Sequence, residues 1–125
     1  MSLSPSFVHC WLLNDVEDHF TAIWELLSIF QQRQARLSAA EIQQQVHNGL
    51  IELYDHGYVQ FYEGTTFTGE EMVVMPNLTV DFIATQVEVS KSADWSVKEV
   101  KVTITASGLA YYLMHCDASF FAGVI

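Results

Sequence analysis

The sequence predicts an α+β domain of three or four helices with a small antiparallel sheet, and three stretches predict it. Leu37 to Tyr62 carries a helix start, an apolar seam, a stop signal and then a strand. Val100 to Thr105 alternates as a second strand and runs straight into a helix start at Thr105-Ala-Ser-Gly108. Val16 to Phe30 holds another apolar seam at helical spacing, long enough to pack on the first. A chain of 125 residues, half of them hydrophobic, suits one domain with one core.

Taken in order, Met1 to Ser6 is expected to fray. Phe7 to Leu13 is a short apolar run without a period, which the composition favours as a strand or extended segment. Asn14 or Asp15 then caps a helix reaching about Arg36, with Val16, Phe20, Ile23, Leu27 and Phe30 as its inner seam. Trp24, Leu26, Ala22 and Ile29 widen that seam, so both sides of the helix need cover. In the next helix Ser38 and Glu41 form a capping box, each side chain meeting a backbone N–H that the first turn leaves without a partner, and Leu37 and Ile42 close a hydrophobic staple. Ile42, Val46, Leu50 and Leu53 follow on one stripe. Gly49 sits within that stripe without a phase slip, which favours one long or slightly kinked helix whose glycine faces inward and lets the first helix approach; the alternative is a break after Asn48. Gly57 is the left-handed stop, and Tyr58 to Glu63 is a strand rich in aromatic and β-branched residues. Gly64 to Gly69 reads as a loop and Met72 to Met75 as a short strand ended by Pro76; in Asn77 to Ser90 the spacing of Val80, Ile83 and Val87 favours a helix, while Thr85 to Val89 has the composition of a strand. Lys91 to Asp94 reads as a turn with Trp95 packed beneath it. The closing helix follows Thr105, and Phe120 to Ile125 is an apolar tail.

The order L-x-x-L-x-x-x-G-Y-V, with Leu50, Leu53, Gly57 and Val59, then strand, then T-x-x-G at Thr105 to Gly108, resembles winged helix-turn-helix domains. It is similar to the end of a recognition helix with its first wing strand, and to the motif that closes the wing in MarR- and PadR-like regulators. The resemblance implies a winged-helix-like fold. It departs from that pattern in the stretch from Gly64 to Lys98, where a wing turns within a few residues.

Charge narrows the function classes. Fifteen acidic against five basic residues give a net charge of −10, which opposes broad contact with nucleic acid or an anionic membrane and favours a basic protein partner. No apolar run approaches the roughly 18 residues that span a bilayer, and the N-terminus lacks the basic region of a signal peptide, so a cytoplasmic location is expected. Cys10 and Cys116 fit free buried thiols in a reducing compartment better than a disulfide framework. With His9 and His115 they would make a Cys₂His₂ zinc set, but adjacent ligands strain that geometry and no metal is expected. Asp55-His56 has the look of an acid–base pair, yet a histidine at a helix C-terminus is favoured by the dipole alone. With no G-x-S-x-G, phosphate loop or H-E-x-x-H, no enzyme activity and no cofactor are expected.

The sequence therefore reads as a non-enzymatic acidic protein-interaction module, such as an immunity or adaptor protein; the alternative is a DNA-binding transcriptional regulator. The helix from Ser38 to His56 has Gln43, Gln44 and Asn48 for base edges but no Lys or Arg for phosphates. Its outward side presents His47, Ile51 and Tyr54 beside Asp55, an apolar and aromatic centre with an acidic edge suited to a protein partner. Arg33, Arg36, Lys91, Lys98 and Lys101 would have to converge from outside it to bind DNA. A homodimer is expected through Ala22, Leu26, Ile29 and the tail, since contiguous apolar patches usually have a partner. The expected core joins Phe20, Ile23, Trp24, Leu27 and Phe30 to Ile42, Val46, Leu50 and Leu53, with Val59, Phe61, Val102, Ile104, Leu109 and Leu113.

Overall fold

A computed structural model describes residues 6–17, 20–64, 72–90 and 99–116. It is α+β: helices α1 (Phe7–Asp15), α2 (Ile23–Arg33), α3 (Ala39–Asp55), α4 (Val80–Ser90) and α5 (Ala106–His115), with strands β1 (Thr21–Ala22), β2 (Val59–Gly64), β3 (Met72–Val74) and β4 (Glu99–Ile104). The strands form one antiparallel sheet in the order β1-β4-β2-β3. Val59, Phe61, Val100 and Val102 project from it into the core, where they meet Ile23, Leu27 and Phe30 of α2 and Ile42, Val46, Leu50 and Leu53 of α3. The five helices among the described residues are one more than the upper number the sequence predicts.

That extra helix is α1. Phe7 to Leu13 is helical rather than extended, with the Ser6 hydroxyl accepting from the His9 amide at 3.3 Å. Its residues from His9 to Leu13 are all buried, so the segment shows no polar face and no period by which a helix could be recognised. The predicted single helix from Asp15 to Arg36 is in fact shorter: only Ile23–Arg33 of that span is helical as α2, and its first part is a break followed by β1. Val16 ends α1, and Thr21 and Ala22 pair with Val102 and Lys101 of β4. The Thr21 hydroxyl donates to the Asp15 carbonyl at 2.9 Å and the Ile104 amide to the Val16 carbonyl at 3.3 Å, so the sheet supplies the bonds that a helical turn would have supplied. Phe20 consequently leaves the predicted core. It is 37% exposed and stacks edge-on to Tyr62.

Several local signals hold as predicted. Ser38 and Glu41 exchange both capping-box bonds at 3.1 Å. Helix α3 runs unbroken through Gly49, where a methyl group would lie 2.6 Å from Leu12 Cδ1 and 2.8 Å from Val8 Cγ1. The helix that approaches is α1, not the longer one expected. Gly57 has φ 74°, and the amides of Gly57 and Tyr58 return to the carbonyls of Tyr54 and Leu53, closing a Schellman motif. Val80 to Ser90 is helical, with Ile83 fully buried.

The two motifs behind the winged-helix resemblance meet in space. The Thr105 hydroxyl donates to the Gly57 carbonyl at 2.6 Å and accepts from the Gly108 amide at 3.0 Å. A side chain at Gly108 would collide with the Tyr58 carbonyl, so only glycine lets α5 lie this close to the β2 entry. Leu109 and Leu113, predicted for the core, are instead 37% and 72% exposed. It is Tyr111 that α5 turns inward, stacked on Tyr58 with ring centroids 4.6 Å apart.

Cys10 and Cys116 are joined by a disulfide with Cα atoms 5.4 Å apart, which corrects the reading of them as free thiols. Their separation of 106 residues hid the pairing, because only the antiparallel packing of α5 on α1 brings them together. No helix among the described residues is long and apolar enough to cross a membrane. The expected loop at Gly64 to Gly69, beyond Gly64 itself, the turn at Lys91 to Asp94 with Trp95, and the tail from Phe120 lie outside the described residues.

Candidate protein-interaction surface

The predicted site residues share α3 but not one environment. His47 is half-buried, with Nε2 3.1 Å from the Leu78 carbonyl and Nδ1 3.0 Å from Asn48 Oδ1. The segment leading into α4 thus crosses that flank of α3 and takes up His47. Tyr54 is half-buried against Phe61, ring centroids 5.1 Å apart. Ile51 is half-buried and Asp55 exposed. What α3 leaves to solvent is an acidic and amide ridge of Glu41, Gln44, Asn48, Glu52 and Asp55, with Gln44 Nε2 donating to Asn48 Oδ1 at 2.8 Å. Glu52 lies 3.4 Å from His9 of α1, so one end of the ridge is tied to the neighbouring helix.

Beside the ridge, α2, α3 and α4 enclose a groove of about 380 Å³ that sequence reasoning missed. Leu27, Ile42 and Val87 give it an apolar floor, while Trp24, Gln31 and Gln43 stand at its sides. Trp24, expected in the core, is only half-buried, because its indole N–H donates to Glu99 Oε2 at 2.7 Å. The wide apolar arc on α2 was a signal that something would flank it, but nothing local identified α4 as the flanking element.

Two of the five cations are engaged inside the fold. Arg33 makes a two-pronged bond to Asp15 at 2.9 and 3.0 Å, and its guanidinium lies 5.3 Å from the centre of the Trp11 ring. Lys101, counted from sequence as a wing cation, is 4% exposed and 3.9 Å from Glu99. Arg36 is exposed, and Lys91 and Lys98 lie outside the described residues. No Lys or Arg stands on α3.

One further expectation changes. Ala22 and Leu26 are fully buried within the chain, leaving no such face for a second copy; only Ile29 of that trio is partly open. The sulfurs of the considered zinc set are bonded to each other, and His9 is held by Ser6 and Glu52. Among the described residues, no three His, Cys, Asp or Glu gather as a metal set. The chain was compared with protein-family models, curated proteins and solved structures, and none matches.

Proposed function

We propose that this chain is a non-enzymatic protein-interaction module on a winged-helix-like scaffold, and that its α3 surface meets protein rather than a DNA groove. The observation that carries this reading is the placement of charge. In the position a recognition helix would occupy, α3 offers carboxylates and amides, one flank is crossed by the chain's own Leu78 segment, and Arg33 and Lys101 are engaged elsewhere. A DNA-binding surface needs free cations to displace counterions from phosphates. The winged-helix part of the reading is supported by the helix–strand–helix–helix–strand order and by the bonding of Thr105 to Gly57.

A homodimer belongs to the proposal with a different face. Leu109, Leu113 and Met114 are 37%, 72% and 77% exposed on α5, a helix with no Asp, Glu, Lys or Arg. Two copies of net charge −10 can meet there without setting like charges against each other. The cytoplasmic placement loses its thiol argument, since stable disulfides persist mainly in oxidising compartments; thiol trapping in native cells reports which form is populated.

The test is a fluorescence-anisotropy titration against mixed genomic DNA fragments across a salt series, alongside affinity capture of partners by wild type and by Ile51→Glu with Asp55→Lys. The expected result is no salt-sensitive DNA binding, and a captured protein lost in the variant at unchanged melting temperature. Sub-micromolar DNA binding that weakens steeply with salt would replace this reading with the regulator.

A further inference from the structure

Among the described residues strand β3 is an edge of the sheet, paired on one side with β2. The direction of its free backbone groups follows from the pairing. The Tyr58 carbonyl accepts from Thr105, at the extension of β4, so the even-numbered residues of β2 turn their N–H and C=O toward β4, and Phe61 and Glu63 turn theirs toward β3. Their partners Val74 and Met72 therefore spend their backbone groups inside the sheet, and Val73 presents its own outward. Met75 continues that parity. Among the described residues no donor or acceptor meets these outward groups. Around them Met72, Val73 and Met75 are 70%, 62% and 83% exposed.

We propose that β3 is a strand-acceptor edge. An extended segment of a partner protein, apolar at alternate positions and carrying lysine or arginine between them, pairs antiparallel with Val73 and Met75 as a fifth strand. Main-chain bonds at an open edge supply affinity in this mode, and side chains supply the choice of partner. The choice here is electrostatic. Glu63 stands opposite Met72, Glu70 and Glu71 immediately precede it in sequence, Asp81 is exposed in the first turn of α4, and the chain has no Lys or Arg between Arg36 and Lys91. Unbranched methionines adapt to varied side chains.

A second copy is the less suitable occupant. Antiparallel pairing of two β3 strands would bring together two molecules of net charge −10, each with Glu63 opposite its own Met72 beside the seam. The proposal extends the interaction reading to another surface and does not depend on α3.

The probes are fluorescein-labelled eight-residue peptides alternating valine with lysine, the same with glutamate in place of lysine, and the lysine peptide N-methylated on alternate amides. Wild type should bind the lysine peptide, with the Val73 amide slowed in hydrogen exchange. The glutamate and N-methylated peptides should each bind at least about tenfold more weakly. Val73→Pro, which removes an outward N–H, and Met75→Lys, which disturbs no internal bond and keeps the test valid should the proline variant unfold, should weaken binding by at least about tenfold, whereas Ile51→Glu on α3 should leave it unchanged. The proposal is overturned by equal binding of the N-methylated and parent peptides, by no binding of either, or by binding lost with Ile51→Glu and kept with Met75→Lys. Self-association abolished by Met75→Lys would likewise overturn it in favour of a second copy. Loss of partner capture at α3 with peptide binding intact would defeat the function proposed above and leave this edge standing.

Discussion

The two flanks of strand β2 are finished in opposite ways. On the β4 flank, Thr105 bonds to Gly57 and Gly108, Gly108 lies against the Tyr58 carbonyl, and the far end of α5 is tied to α1 by Cys10–Cys116. On the β3 flank, a three-residue strand leaves Met72, Val73 and Met75 open. The first arrangement tolerates almost no added volume because its neighbours are backbone atoms, which cannot move aside as side-chain tips can. The second has little to lose by substitution, because its apolar side chains stand mostly in solvent.

Each end of that contrast can be measured. Cys116→Ser should cost about 3–4 kcal/mol in urea unfolding, since the disulfide closes nearly the whole chain; reductant should lower wild type to a similar value and leave the variant alone. Gly108→Ala should cost about 3 kcal/mol, the upper part of the range for overpacking, because the clash is with a carbonyl. A cost as small as a surface site's would mean that α5 stands farther from β2 than described.

Thr105→Ala should cost about 1 kcal/mol as a lost helix cap, with Thr105→Ser restoring most of it. A smaller effect is expected at alkaline pH. Burial, and secondarily the adjacent Tyr58, raise the Tyr111 phenol above its ordinary 10.0. The fold therefore disfavours the phenolate, and this contribution is whole below pH 10.0, then lost as pH climbs through the raised value. Tyr111→Phe should flatten that part of the stability profile. Val73→Thr and Met75→Ser, by contrast, should change stability by less than about 0.5 kcal/mol. A larger loss would mean that the edge is part of the core.

The residues legible in sequence were those whose partners are near in the chain. Ser38 with Glu41, Gly57 at the end of α3, the stripe from Ile42 to Leu53, and Thr105 with Gly108 each settle their own backbone within a turn or two. For the residues expected on the outward side of α3, spacing alone could not tell which another element would reach: His47 is taken by Leu78 and Tyr54 packs against Phe61, while Asp55 stays exposed. The groove beside them depends on α4 crossing α2, which no periodicity records.

The sequence by itself determined the α+β class, the glycine stop, the closing cap and the acidic character of α3, because capping, left-handed conformation and amphipathic spacing are local properties. The tertiary structure alone decided the rest. It made a helix of Phe7 to Asp15, which is buried too evenly to show a period. It drew Thr21 and Ala22 out of a predicted helix to complete the sheet. It brought Cys10 to Cys116 and buried Lys101, since these depend on which distant segments share a boundary, and burial and long-range pairing are fixed only when the whole chain closes around one core.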